Sequence, residues 1–236
     1  QVMLLDGAMG TQIQAVNFDV EKDYWGQENC SEILNLSRPD FVRDVHKKYL
    51  SAGADAVETN TFGGSSITLG EFELSDKTVE INKRACELAH EAIAEFAHDG
   101  RPRFVVGAIG PGTKLPSLGH IDYDALEASF TLQAHGLIEG KADAFLIETA
   151  QDPLQIKAAV NGAKSAMNKT GITLPVMVQV TVETTGTMLV GSDIAAAATI
   201  IDALDVFSLG LNCATGPQEM TDHVRWLSHN SPKKSS

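Results

Sequence analysis

Cysteine is scarce in this chain. There are three in 236 residues, Cys30, Cys86 and Cys213, and they lie far apart. An odd, widely spaced set does not form a disulfide framework and is expected in a reducing, cytoplasmic setting. No Cys-x-x-Cys, His-x-His or His-x-x-x-His spacing occurs among the three cysteines and seven histidines, so no local motif supplies a complete metal-ligand set. Basic residues are outnumbered, 18 Lys and Arg against 31 Asp and Glu, for a net charge of -13. Such a surface repels phosphates, so no nucleic acid and no anionic membrane is expected as a partner. No run approaches the ~20 apolar residues of a membrane span, and no basic, apolar, cleavable leader opens the chain. Gly-x-Gly-x-x-Gly is missing, which disfavours a dinucleotide site. No lysine ends an apolar run, which disfavours Schiff-base chemistry. Aromatics make up only 6 % of the chain, so Val, Ile, Leu and Ala must fill the core, and a hydrophobic share of 43 % suffices for one. The length suits a single barrel or open α/β domain.

What is present is a recurring pattern of short apolar runs, each finishing in a polar or glycine-rich cluster. Six occur: Leu4-Leu5-Asp6-Gly7, Val57-Glu58-Thr59-Asn60, Val105-Val106-Gly107, Phe145-Leu146-Ile147-Glu148-Thr149, Val178-Gln179-Val180-Thr181 and Leu209-Gly210-Leu211-Asn212-Cys213. Helical periodicity separates most of them. The expected strands are residues 2–5, 56–58, 104–108, 144–147, 176–180 and 206–211. The expected helices include one capped by Ser37 with Pro39 in its first turn, and others at 76–98, 123–139, 153–167 and 192–204, with a last one opening at Pro217. Ala54-Asp55-Ala56-Val57-Glu58-Thr59 is weakly echoed by Ala142-Asp143-Ala144 leading to Glu148-Thr149, as a repeated unit would be. The pattern is that of α/β architecture with parallel strands, whose chemistry gathers at the carboxyl ends of the strands. About six βα units are visible where a closed (β/α)8 barrel has eight. Residues 1–230 read as the domain and 231–236 as a polar tail.

Asp6 and Glu148 fall at expected strand ends. A carboxylate there either holds an ammonium group, serves as acid or base, or caps the next helix. Asp6-Gly7-Ala8-Met9-Gly10-Thr11 is a tight turn of small residues. Its backbone N–H groups either cradle an anion or simply connect strand to helix. Cys213 ends the last strand, as a thiolate metal ligand, a nucleophile or a buried structural residue. Cys86 lies on an apolar helical stripe and reads as core; Cys30 lies in a loop.

Several segments resemble the homocysteine S-methyltransferase family. They are Leu5-Asp6-Gly7-Ala8-Met9-Gly10-Thr11, Glu58-Thr59-Asn60-Thr61-Phe62-Gly63, Gly107-Ala108-Ile109-Gly110-Pro111, Glu148-Thr149, and Gly210-Leu211-Asn212-Cys213-Ala214-Thr215-Gly216-Pro217. They occur in order over nearly the whole chain. The nearest likeness is to the homocysteine-binding domains of cobalamin-dependent members, in their actinobacterial form. The resemblance implies a (β/α)8 TIM barrel binding zinc through three thiolates. Cys213 would be one; the other two belong to a Gly-Gly-Cys-Cys-Gly motif near strand eight that this sequence does not contain. It further implies that Asp6 and Glu148 hold the ammonium group of homocysteine, and that backbone amides at Gly7, Ala8 and Met9 take its carboxylate. Asn60 and Thr61 would be pocket walls. The implied reaction is methyl transfer from methylcobalamin, ultimately from methyltetrahydrofolate, to the homocysteine thiolate, giving methionine. Folate- and cobalamin-binding domains of the same parent protein would be the partners. The competing readings are a stand-alone methyltransferase using betaine or S-methylmethionine, and a catalytically incompetent fragment.

Overall fold

A computed structural model describes residues 2–231 and 233–235. Six strands form one sheet in chain order: β1 (Ala56–Glu58), β2 (Phe104–Ile109), β3 (Ala144–Ala150), β4 (Val176–Val180), β5 (Ser208–Leu211) and β6 (Lys234–Ser235). Every neighbouring pair is parallel. The helices are α1 (Met9–Gln14), α2 (Leu34–Ser37), α3 (Pro39–Ala52), α4 (Ser66–Gly70), α5 (Thr78–Ala94), α6 (Tyr123–Glu139), α7 (Pro153–Thr170), α8 (Ile194–Asp202) and α9 (Pro217–Asn230). A doubly wound sheet reverses its strand order at a switch point; a barrel wall grows by one neighbour at a time. The sequential order here is that of a (β/α) barrel wall.

The strand expected at 2–5 is reduced to Leu5, bridged in parallel to Ala56. The ladder nevertheless continues: Asp55 and Ala56 donate to the Leu4 carbonyl, and the Asp6 N–H donates to the Ala56 carbonyl. The N-terminal segment therefore runs along the outer edge of β1 and delivers Asp6 to the same end of the sheet as Glu58. At the far edge, Lys234 and Ser235, expected within a polar tail, lie as a strand beside Ser208 and Leu209. Backbone pairing depends little on side-chain polarity, and an open edge accepts a polar segment.

Several helix boundaries differ from expectation, α7 running on to Thr170 and α8 covering only Ile194–Asp202. Ser37 is not the cap of α3; it closes α2, and its hydroxyl donates to the carbonyls of Ile33 and Asp23. Arg38 takes the cap position before Pro39, and Gly53, at φ 108°, ends α3 in the left-handed conformation that costs glycine least. The helix expected over 76–98 covers only Thr78–Ala94, between the turns Ser75–Lys77 and Ala97–Asp99.

With few aromatics, the core is close-packed by aliphatic and small residues. Leu137, Phe145 and Ile156 are fully buried between the helices and the sheet, and Leu146 is buried with Ala56 and Val106 on the other face of the sheet. α5, α6 and α7 approach through glycines. A Cβ at Gly136 would lie 2.9 Å from the Val79 carbonyl oxygen, one at Gly140 2.6 Å from the Cys86 Cβ, and one at Gly162 2.9 Å from the Phe130 Cβ. These neighbours are backbone or the first side-chain atom and cannot swing aside. Gly140→Ala is expected to destabilise the chain by roughly 1–3 kcal/mol through overpacking, read as a lower urea midpoint. Gly10→Ala, where a Cβ meets nothing within 4 Å, is expected to show no such loss. Equal midpoints for the two variants would show that the helix interface is not packed this way.

Candidate functional site

The residues singled out in the sequence converge. Asp6, Gly7, Ala8, Met9, Glu148 and Cys213 all line one cavity of about 580 Å³ at the carboxyl ends of the strands. Glu32, Glu58, Thr59, Asn60, Phe62, Thr149, Gln179 and Asn212 complete much of its wall. Asn60 is a wall residue as expected. Thr61 is not: it is buried beneath the wall, donating to the Ala108 carbonyl at 2.7 Å. Cys86 is core as expected, and Cys30, in a loop as expected, is fully buried as well.

Each carboxyl group reaches the cavity by a different backbone device. Both oxygens of Asp6 accept the Glu58 N–H, each at 3.1 Å. The Asp6 side chain thus takes the place of the next ladder carbonyl and caps the end of β1. Glu148, two residues before the end of β3, accepts from the Asn212 amide at 3.2 Å. Glu32 is buried in the wall with its Oε1 accepting from the Gly63 N–H at 2.6 Å, where a Cβ at position 63 would collide with it. Glu58 has no side-chain partner among the described residues; its bonding to Asp6 is through the backbone only. Glu58 and Asn212 lie inside recognisable motifs, yet neither was assigned a contact with substrate from sequence. The Glu58-Thr59 and Glu148-Thr149 echo was the available signal, because both glutamates lie at or near the ends of strands of the same wall.

No lysine, arginine or histidine lies among the lining residues, so the acids are not neutralised. Burial pushes Asp6 up to about 7, against the opposing pull of the Glu58 N–H, and the nearby Glu148 adds to the rise. Burial also raises Glu58, further than either neighbour, with the charges of Glu148 and Asp6 adding to it. Glu148 rises by burial, and its hydrogen bonds to Thr149 and Asn212 oppose the rise. With no basic side chain in the described lining, this is a setting that favours a positively charged group.

The turn before α1 forms another side of the cavity. Gly7 is required there: a Cβ would lie 2.9 Å from the Tyr49 ring, whose hydroxyl donates to the Ala8 carbonyl at 3.0 Å. The phenol holds the turn down, so the first backbone N–H groups of α1, which have no intrahelical acceptor, sit at the cavity rim.

Cys213 is exposed. Its backbone, with φ 59°, is left-handed, as are Ala214 at 59° and Thr149 at 55°. Three non-glycine residues in that region are costly, at about 1 kcal/mol or more each, and persist only when neighbours hold them. Asn212 supplies much of that restraint. Its Oδ1 accepts the Thr149 N–H at 2.9 Å, and its amide nitrogen donates to the Thr149 hydroxyl at 2.9 Å and faces the Cys213 sulfur at 3.5 Å. The Thr149 hydroxyl lies 3.7 Å from the same sulfur. Cys213 supplies one soft donor, and no group of three His, Cys, Asp or Glu side chains able to hold a metal occurs among the described residues.

Acids, a small-residue turn and an exposed thiol thus share one cavity at the carboxyl face of a parallel βα wall of the barrel type. The chain belongs to the homocysteine S-methyltransferase family, whose model matches residues 3–235. It is 48 % identical over 231 residues to the methionine synthase of Mycobacterium tuberculosis and 48 % identical over 231 residues to that of Mycobacterium leprae, covering 98 % of this chain in each case. The chain spans 19 % of the length of these relatives. The homocysteine methyltransferase MmuM of Escherichia coli, in its metallated form, shares the fold with a TM-score of 0.79 at 20 % identity, over 97 % of this chain and 80 % of that one. No helix among the described residues is long and apolar enough to cross a membrane.

The raised acids make stability depend on pH. A carboxyl whose folded pKa lies above its unfolded value stabilises fully below the unfolded pKa, and the benefit is lost as pH rises through the folded pKa. His46, buried and pushed down to about 4, acts oppositely, adding stability as pH rises towards 6.5. Above about pH 6.5 the acids stand alone, so the urea midpoint is expected to fall between about pH 6.5 and 8. Glu58→Gln should flatten that fall. An unchanged slope in the variant would refute the buried-acid account.

Proposed function

We propose that this chain is the homocysteine-binding and homocysteine-activating domain of a methionine synthase. The observation that carries the reading is the convergence of Asp6, Glu148, the turn at Gly7, Ala8 and Met9, and Cys213 on one cavity. Homocysteine presents an ammonium group, a carboxylate and a thiol, and the cavity offers a counterpart to each. Asp6 and Glu148 take the ammonium. The backbone amides at Gly7, Ala8 and Met9 take the carboxylate, without the desolvation cost of a buried cationic side chain. The thiol is then directed towards Cys213, at the end of β5.

The chemistry requires the thiol to shed its proton before it can accept a methyl group, since the thiolate is the nucleophile. A zinc ion supplies that activation in the family reading by lowering the thiol pKa. The residues described here do not amount to a zinc site: Cys213 offers one thiolate where three are called for. In this proposal Cys213 is one ligand and the paired cysteines come from outside this sequence. The contribution of the present residues is binding and aim: Asn212 and Thr149 hold the Cys213 sulfur, and the acids anchor the far end of the substrate. The methyl donor, methylcobalamin, and its replenishment from methyltetrahydrofolate belong to other domains of a protein about five times this length, as the 19 % coverage of the relatives supports.

Titration calorimetry with homocysteine tests the binding half. Asp6→Asn and Glu148→Gln are each expected to weaken it about tenfold or more, the usual cost of losing a buried charge-assisted hydrogen bond. In the parent protein, Cys213→Ala is expected to abolish methyl transfer while sparing calorimetric binding of homoserine, which has the ammonium and carboxylate but no thiol. Homocysteine binding indifferent to both acids, or full turnover without Cys213, would overturn the reading.

A further inference from the structure

A protonated primary amine has three N–H donors, and this cavity holds three carboxyl groups whose charges act on one another: Asp6, Glu58 and Glu148. Their situations differ. Asp6 has both oxygens occupied by the Glu58 N–H, and Glu148 is held by Asn212. Glu58 alone has no side-chain partner among the described residues, although it is largely withdrawn from solvent and faces the cavity. Its carboxyl is half-buried and faces the cavity with both oxygens uncommitted, so a ligand there can supply the bond that no described side chain makes. The β1 ladder places it well for that. The N–H of Glu58 is fixed by Asp6, so its Cα cannot drift, while its side chain remains free to close on a ligand.

We propose that Glu58 is the specificity-determining contact of the pocket, accepting the third N–H of the substrate ammonium and so restricting the site to amino acids with an unsubstituted amino group. This rests on the reading of the cavity as a homocysteine site. Asp6 and Glu148 orient two of the N–H groups through oxygens whose positions the protein has already set. The third N–H points to Glu58. An N-methyl substituent removes that donor and puts a methyl group against a carboxylate, which both collides and blocks its solvation. Glu32, the other acid in the wall, has its Oε1 committed to the Gly63 N–H.

The test compares L-homocysteine with N-methyl-L-homocysteine by titration calorimetry on the chain, using the wild type, Glu58→Gln, Glu58→Ala and Asp6→Asn, with thermal melts to confirm that each variant folds. The wild type is expected to prefer homocysteine by about thirtyfold or more, a charge-assisted hydrogen bond plus a steric term. Glu58→Gln keeps an acceptor oxygen and the shape, so affinity should fall about tenfold with the preference largely kept. Glu58→Ala opens room for the methyl group, so the preference should shrink to about threefold or less. If wild type and Asp6→Asn differ for homocysteine but both Glu58 variants match the wild type in affinity and preference, the role of Glu58 is overturned and the site reading stands. If Glu58→Ala keeps the full preference, Glu58 is overturned as the discriminating contact. If the wild type fails to bind homocysteine, or Asp6→Asn leaves binding unchanged, the site reading itself fails and the inference with it.

Discussion

The bond between the Asp6 carboxylate and the Glu58 backbone N–H organises this molecule. It extends the parallel ladder one step beyond Leu5 and Ala56, using a side chain where the backbone has turned away. The turn that follows, seated under Tyr49, depends on where Asp6 ends. So does the position of Glu58, whose own side chain is thrown into the cavity by the alternation of β1. Without that bond, the short contact between the N-terminal segment and β1 would be a single bridge at the edge of a sheet, and the acids would have no reason to face one another.

That arrangement sets binding against stability. Four carboxyl groups, those of Asp6, Glu32, Glu58 and Glu148, line a cavity with no basic residue in its described lining; burial raises all four, and repulsion adds to the rise at Asp6 and Glu58. The folded chain tolerates this because the groups hold protons, or accept backbone and amide hydrogen bonds, until a cation arrives. Much of the surrounding wall is firmly bonded. Asn60 ties to Ser31, Asn35 to Asn60, and Gln133 to Thr61, all at 2.8 Å. Behind that wall, buried oxygens of the same side chains, Asn35 Oδ1 and Gln133 Oε1, are left without a partner among the described residues. At the other end of the cavity, left-handed backbone at Thr149, Cys213 and Ala214 is held by Asn212 so that one sulfur faces inward.

Much of the site was legible in the sequence because strand-end position is a local property. Apolar runs stop where Asp6, Glu148 and Cys213 stand, and parallel topology carries strand ends to one face. Glu58 shows the limit. It ends a run in the same manner, yet only the register of Leu5 with Ala56 shows that its N–H is taken by Asp6 and its carboxyl left alone. Ser37 shows it too, as a good cap by composition whose hydroxyl was claimed by Asp23, a residue distant in sequence. The shortness of the first strand was equally hidden, since edge pairing depends on where the chain turns at Gly7 rather than on the apolar character of residues 2–5.

The sequence by itself determined the alternation of strand and helix, the parallel class, the residues at the strand ends and the family, because each follows from local periodicity or from a motif read in order. Tertiary structure alone decided which acids are partnered and which is free, that Thr61 lies beneath the wall while Thr59 lines it, and that Cys213 is restrained by Asn212 and Thr149. Those outcomes depend on hydrogen bonds between segments up to 64 residues apart, and such bonds are fixed by strand register, which no single segment encodes.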